Sequence, residues 1–374
     1  MRFPDDVPTL TSGDVTLRAH QVEDADAIVE QCTDPVSVEW TTVPLDYTHD
    51  TAVEWVKTAI PEGWETGKEQ AFAIEATHPD GVRRFSGTLS LRHERARRAE
   101  LAFGAHPAIR GTGVVTTAVN LLLDWGFDEL NLETVVWLAN RGNFASRRVA
   151  WKTGFTFGGT VRRYVDHRDE YPDAWIATLH KDDSRDPKTP WFDAPPIVSG
   201  RLVLRPIRDL DVPRIVEACS DPRTHHWLTS VPSPYSADDA REFLLHTREE
   251  MASGGQVQWA VAHPQTDQLM GIVGMPRMSA AVSGEIGYWM HPDARGKGLM
   301  SEAVRLVVRH AFVDAADGGL GMHRVFLKAA ADNAASQQVA RANGFIECGR
   351  ERASELLGDG SYADMLLFDR LASD

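Results

Sequence analysis

Three cysteines in 374 residues, Cys32, Cys219 and Cys348, show no metal-ligand spacing, and their odd number leaves no disulfide framework; both facts point to a reducing compartment. No stretch of about 18 uncharged apolar residues exists, so no membrane span is expected. The first residues, Met1-Arg2-Phe3-Pro4-Asp5-Asp6, lack the basic-then-apolar order of a secretion signal, and the expected location is cytoplasmic. Basic residues are also scarce, with 39 Lys and Arg against 54 Asp and Glu, a net charge of -15. That balance argues against a nucleic-acid surface and mildly favours a cationic partner such as an amine. The 14 histidines have no paired spacing with carboxylates or cysteines, so no metal is expected.

What is present is a chain written twice. His-Pro-x-x-Arg-Gly-x-Gly occurs at 106–113 and again at 291–298, and each copy is followed by Asn-x-x-Ser ending in Gly-Phe, at 143–155 and 333–345. Leu17-Arg18 matches Leu204-Arg205, Asp34-Pro35 matches Asp221-Pro222 and Trp40 matches Trp227, all at an offset of 187. Glu100 matches Glu285 at 185 and Asn143 matches Asn333 at 190, the drift following loop lengths. The composition, 43% hydrophobic with 11 Trp, is that of an ordinary globular protein, and the length suits two domains. The expected division is a domain at 1–182, a Pro- and Asp-rich linker at 183–199 and a second domain at 200–374.

Each half changes periodicity in one order. A strand at 15–18 or 202–205 precedes an amphipathic helix carrying Cys32 or Cys219, whose buried thiols read as small core groups. A second helix begins after Thr48 or Ser236, hydroxyl residues suited to cap it. Strands follow at 71–76, 85–91 and 99–103, and at 257–262, 269–275 and 285–290. Next come the glycine loop, a long helix at 114–128 or 299–313, a strand at 134–138 or 324–328, a helix at 144–152 or 334–342, and a terminal strand pair. The order implies an α/β fold of the α+β type, one parallel crossover in a mixed, mainly antiparallel sheet.

Arg110-Gly111-Thr112-Gly113 and Arg295-Gly296-Lys297-Gly298 each lie between a strand and a helix, where free N–H groups and the helix dipole attract anions. Tight-turn glycines are the plainer explanation, but two copies in matched contexts weaken it. Other phosphate motifs fit poorly. A nucleotide P-loop needs glycine where His291 stands, and the dinucleotide fingerprint needs it at Thr116 and Ser301. His106 and His291, each before a proline at a strand end, suit a turn role.

At these residues the chain resembles the GCN5-related N-acetyltransferase (GNAT) superfamily, particularly its RimJ/RimL-like branch, over nearly both halves. The superfamily's acyl-CoA loop, Arg/Gln-x-x-Gly-x-Gly/Ala, is matched up to Gly113 and Gly298 and departs at Val115 and Met300, whose side chains must then face away from the pyrophosphate. The branch's Asn-x-x-Ser is matched by Asn143 and Ser146 and by Asn333 and Ser336. The resemblance implies two tandem acyl-CoA N-acyltransferase domains using acetyl-CoA, held by Arg110, Gly111, Thr112, Gly113, Val115, Thr116 and Asn143 in one half. In the other it implies Arg295, Gly296, Lys297, Gly298, Met300, Ser301 and Asn333. Glu285 and Glu100 are then the candidate bases, Glu285 leading. Ala150 and Ala340 replace the superfamily's thiolate-protonating tyrosine, leaving Ser336 and Ser146 to support the departing sulfur.

The implied function is transfer of an acetyl group to a primary amine by direct attack on the thioester, the acceptor being a small molecule or a peptide. Lys297 and the Ser301-Glu302 helix start favour the second half as the stronger site. His225, His226 and the variable segments 34–48 and 221–236 are where the acceptor pocket is expected. No nucleic acid or membrane partner is expected, and one chain stands for a family dimer, which is compatible with a monomer. Two rivals are a non-catalytic acyl-CoA sensor or scaffold and an aminoacyl transferase using charged tRNA, the latter needing a basic face.

Overall fold

Alternating burial marks the strand Val15–Arg18: Val15 and Leu17 face inward, while Thr16 and Arg18 face the more exposed side. The structure, a computed structural model, describes all residues but 96, 229–230 and 280–281. It divides into two units, Met1–Lys188 and Thr189–Asp374. The first holds β1 (Leu10–Ser12), β2 (Val15–Arg18), α1 (Ala25–Thr33), α2 (Pro35–Trp40), α3 (His49–Glu54), α4 (Ile60–Thr66), β3 (Glu69–Thr77) and β4 (Arg83–Arg95). It continues with β5 (Arg98–Ala105), α5 (Val114–Asp128), β6 (Thr134–Asn140), α6 (Phe144–Lys152), β7 (Thr156–Val161) and β8 (Ala174–His180).

The second unit repeats this as β9 (Ile197–Val198), β10 (Val203–Arg205), α7 (Val212–Cys219), α8 (Pro222–Trp227), α9 (Ala237–Ala252), β11 (Val257–Ala262), β12 (Leu269–Ser279) and β13 (Ser283–Met290). Then come α10 (Leu299–Phe312), β14 (Arg324–Ala330), α11 (Ala334–Ala342), β15 (Ile346–Leu356) and β16 (Tyr362–Leu371). Each unit has one eight-stranded sheet, ordered β1-β2-β3-β4-β5-β6-β8-β7 and β9-β10-β11-β12-β13-β14-β16-β15. Every pairing is antiparallel except β5 with β6 and β13 with β14.

The long helix after the glycine loop lies against each sheet because its apolar residues recur every three to four positions. Ala118, Val119, Leu122 and Leu123 are buried in the first unit, and Ala303, Val304, Val307, Val308 and Ala311 in the second. A fully buried Val or Leu contributes roughly 1.5–3 kcal/mol, so this stripe holds the helix. The helix after Thr48 is interrupted, unlike its counterpart α9: a π-helical turn spans Trp55–Ala59 before α4. Pro61 explains it, since a proline nitrogen cannot donate to the carbonyl one turn earlier. Among the described residues, no helix is long and apolar enough to cross a membrane.

The segment 183–199 is shared between the units, and each part packs on its own. Arg185 pairs with Asp124 at 3.0 Å and lies over Phe127 in the first. In the second, Phe192 N–H donates to the Met251 carbonyl at 2.9 Å, and the Trp259 indole donates to the Pro195 carbonyl at 2.9 Å. The Gly-Phe element differs accordingly. A Cβ on Gly154, at φ +82°, would stand 2.6 Å from the Ser184 carbonyl oxygen, whereas one on Gly344 would meet nothing nearer than Arg370 at 3.6 Å. Gly154→Ala is therefore expected to cost about 2–3 kcal/mol, and Gly344→Ala only the left-handed penalty of about 1–2 kcal/mol. Urea unfolding of the two variants checks this, and equal losses would overturn it.

Candidate active site

Each glycine loop turns through two left-handed residues, Gly111 (φ +77°) and Gly113 (φ +90°) in the first unit, Gly296 (φ +74°) and Gly298 (φ +71°) in the second. An L side chain is disfavoured there, and a Cβ on any of the four would meet nothing within 4 Å. Gly113 and Gly298 are the N-caps of α5 and α10, and no side chain caps either helix. The first-turn amides thus face open space with the positive end of the helix dipole behind them, an arrangement that fits a pyrophosphate. Val115 packs against the first core and Met300 is buried in the second, so these side chains serve packing.

The loop arginines are engaged elsewhere than the amides. Arg110 pairs with Asp34 at 2.6 Å and donates to Ser37 Oγ at 3.0 Å. Arg295 pairs with Asp221 at 2.8 Å, donates to Thr224 Oγ1 and reaches the Met290 carbonyl at 3.1 Å. Asp34 and Asp221 are themselves the N-caps of α2 and α8. Burial alone would raise the Asp221 carboxyl, but the Arg295 guanidinium and the Thr224 N–H outweigh it and hold it below the usual range. The repeated Asp-Pro element thus ties the loop to the first helices through both arginines. Lys297 donates to the Asp293 carbonyl at 2.8 Å, Thr112 to Ile109 at 2.7 Å, and Ser301 Oγ accepts from Asn343 at 3.2 Å. His106 and His291 cap the turns that enter the loops.

Between strand and loop the sheet opens. Parallel pairing of β5 with β6 ends at Leu101–Trp137, and that of β13 with β14 ends at Glu285–Phe326. Beyond these points the strands diverge around a gap. Glu285 lies at the mouth of it and pairs with Arg277 of the neighbouring β12 at 2.6 Å. Glu100, at the matching place, has a longer 3.6 Å contact to Arg92. Burial pushes its carboxyl above the usual range, with Arg92 opposing and Glu94 and Glu69 reinforcing.

Asn143 and Asn333 cap α6 and α11 by accepting from the Ser146 and Ser336 N–H groups at 3.0 and 3.1 Å. The serine hydroxyls therefore remain available for other partners. Ser146 Oγ accepts from the Trp137 indole at 3.0 Å, and Ser336 Oγ lies 2.9 Å from the Tyr288 hydroxyl.

The sequence profile of the Acetyltransferase (GNAT) domain matches this chain twice, over residues 14–156 and 201–346. The chain belongs to the GNAT acetyltransferase family. It is an N-acetyltransferase with a GNAT domain in each half. YdaF of Bacillus subtilis (strain 168), whose name assigns it provisionally to ribosomal N-acetyltransferases, is 26% identical over 178 residues, which cover 46% of this chain and 93% of YdaF. The ribosomal-protein-serine acetyltransferase of Escherichia coli (strain K12) is 35% identical over 106 residues, 28% of this chain and 56% of that enzyme. Among solved structures, RimL, a ribosomal L7/L12 alpha-N-protein acetyltransferase in complex with coenzyme A, matches at 23% identity and a TM-score of 0.42, over 48% of this chain and 98% of RimL.

Three groups in these GNAT domains escaped sequence reasoning. Asp34 and Asp221 were visible as a repeat, but their arginine partners lie far along the chain. Tyr288 had no repeat signal, because Phe103 matches it in the first half. Arg201, which pairs with Glu302 at 3.3 Å and donates to the Lys297 carbonyl, adds a cation beside the second loop, where the first half has Asp14 at the matching position. His225 and His226 border a cavity of about 460 Å³ with Cys219, Tyr235, Gly358 and Asp359. Burial pushes the Cys219 thiol up to about 11, against the Tyr235 hydrogen bond, which makes it a poor nucleophile.

Proposed function

We propose that this GNAT chain moves an acetyl group from acetyl-CoA to a primary amine, and that the second unit holds acetyl-CoA more tightly. The observation that carries this is the coincidence, in both units, of an uncapped helix start behind a glycine loop with a parallel strand pair that opens just before it. The first would take the pyrophosphate and the second would admit the thioester arm. Lys297 and Arg201 beside the second loop support the ordering.

The neutral amine attacks the thioester carbonyl carbon, the carbon–sulfur bond breaks as the carbon–nitrogen bond forms, and the amine proton passes to a carboxylate or to water. Glu100 and Glu285 are the nearest such groups on the opening strands. Glu285 must leave Arg277 to act, while Glu100 is already biased toward holding a proton. Ser146 and Ser336 face the departing sulfur. The acceptor enters the second unit through the cavity between α8 and the β15–β16 turn, where the Gly358 N–H donates to the His226 carbonyl at 3.0 Å. Relatives named for ribosomal-protein acetylation make a peptide N-terminus the first acceptor to try, ahead of small amines.

A panel of peptides and amines with free CoA as the readout tests the proposal, and no release with any acceptor would sink the enzymatic step. Glu100→Gln is expected to lower turnover in the first unit about 100-fold. Because a base must be ionised and burial raises the Glu100 carboxyl, first-unit activity falls with decreasing pH at a higher pH than an ordinary Glu near 4.3 would give. That acid limb should vanish in Glu100→Gln when measured in a Gly298→Val background. An unchanged limb would acquit Glu100.

A further inference from the structure

We propose that Tyr288 and Ser336 form a two-hydroxyl chain that hydrogen-bonds and protonates the departing sulfur, and that only the second unit has it. The inference rests on the placement of Ser336 toward the thioester. Tyr288 sits in the stretch of β13 beyond its last pairing with β14, on the strand face opposite Glu285, so the two groups address the gap from opposite sides. Its hydroxyl donates to the Ser336 carbonyl oxygen at 3.2 Å and stands 2.9 Å from Ser336 Oγ, where either hydroxyl can be the donor. Ser336 is held in turn by the Asn333 cap at 3.1 Å.

The repeat supplies an internal control. In the first unit Phe103 replaces Tyr288 and Trp137 replaces Leu327, and the Trp137 indole takes over the hydrogen bond to the serine. An indole N–H donates but cannot exchange a proton in a relay, so Ser146 is fixed there without a source behind it. A tyrosine hydroxyl both donates and accepts, and turning its single proton from the Ser336 carbonyl to Ser336 Oγ strengthens the serine as a donor to sulfur. As the carbon–sulfur bond breaks, sulfur takes the Ser336 hydroxyl proton, Ser336 Oγ takes that of Tyr288, and the phenolate recovers a proton from water. The amine releases one proton, so the proton count closes. Burial pushes the Tyr288 hydroxyl up to about 12, which keeps it protonated until that moment.

The test uses the full chain with CoA and acetyl-CoA as probes. Free thiols ionise near 8.5, and the thiolate band of bound CoA reports its proton affinity as pH is raised. Tyr288→Phe is expected to leave acetyl-CoA affinity within about twofold while lowering the bound thiolate-to-thiol ratio roughly tenfold at fixed pH. Ser336→Ala should do the same, and the double variant no more than either. The first unit contributes a constant background. A thiol titration unmoved by Tyr288→Phe, or acetyl-CoA affinity falling in step with it, overturns the chain of hydroxyls. A wild-type chain that binds no acetyl-CoA overturns the acetyl-transfer proposal itself and is told apart by that first measurement.

Discussion

Gly298→Val is expected to remove the tighter acetyl-CoA site while leaving the protein folded. Gly298 holds φ +71° at the N-cap of α10. A side chain there pays the left-handed penalty, about 1–2 kcal/mol and somewhat more for a β-branched residue, but its Cβ meets no atom of a non-neighbouring residue within 4 Å. The open space is what the ligand needs. The added methyl groups would stand before the amides of Leu299, Met300 and Ser301, where no side chain caps the helix. Losing charge-assisted hydrogen bonds worth about 1.5–3 kcal/mol each, together with the steric block, predicts more than a 100-fold loss of affinity. In a calorimetric titration of the whole chain, the stronger class of sites should disappear in Gly298→Val and the weaker class in Gly113→Val. If Gly113→Val removes the stronger class, the ordering of the units is reversed. If neither variant changes the titration, the loops do not bind the cofactor phosphates.

The duplicated loop and the helical periodicity behind it are legible in the amino-acid order alone, because both are local. The helix expected at 114–128 is Val114–Asp128, and the one expected at 299–313 ends a residue earlier, where Val313 turns extended. Strands extend outward from their apolar centres, the one expected at 85–91 running over Arg83–Arg95, since ladder hydrogen bonds continue past the buried alternation. Long-range chemistry is hidden. The loop motif marks Arg295 as a candidate phosphate ligand, but nothing in it shows that Arg295 also pairs with Asp221, 74 residues away. Glu285 reads as the leading base, and its pairing with Arg277 is not legible beside it because their register depends on a bulge in β12 that no local pattern announces. The Pro-rich 183–199 segment has the composition of a connector. Its Phe192 and Ala194, however, bring apolar surface that packs on the second unit. Two short strands, β1 and β9, escape the sequence pattern for want of a long apolar alternation.

The largest stability loss is expected from Arg205→Ala. Arg205 and Asp211 are each about 4% exposed and joined by two hydrogen bonds of 2.8 Å, while Arg205 also donates to Asp267 at 2.6 Å. Removing one partner of such a buried pair leaves the other charge without compensation and costs about 3–5 kcal/mol. Replacing both Arg205 and Asp211 with leucine should cost less than Arg205→Ala, because no charge is then stranded. The hydrogen bonds from Arg205, together with Arg208, hold the Asp267 carboxyl below its usual range against burial. A depressed carboxyl stabilises the fold above its unfolded value near 3.9 and loses that contribution as pH falls through the folded value. Arg205→Ala should accordingly flatten the acid limb of the stability curve as well as lower its plateau. Hydrogen exchange resolved by peptide should place the loss in the second unit, leaving the matched Arg18–Asp24 pair and its unit protected. The effect reaches the site through a short path. Arg205 fixes the turn that starts α7, α7 leads to Asp221, and Asp221 receives Arg295 at the glycine loop. Acetyl-CoA affinity at the second unit should therefore fall with its stability in Arg205→Ala and recover in the double leucine variant. Affinity that stayed low while stability recovered would show that the charge, and not the placement of α7, serves the loop.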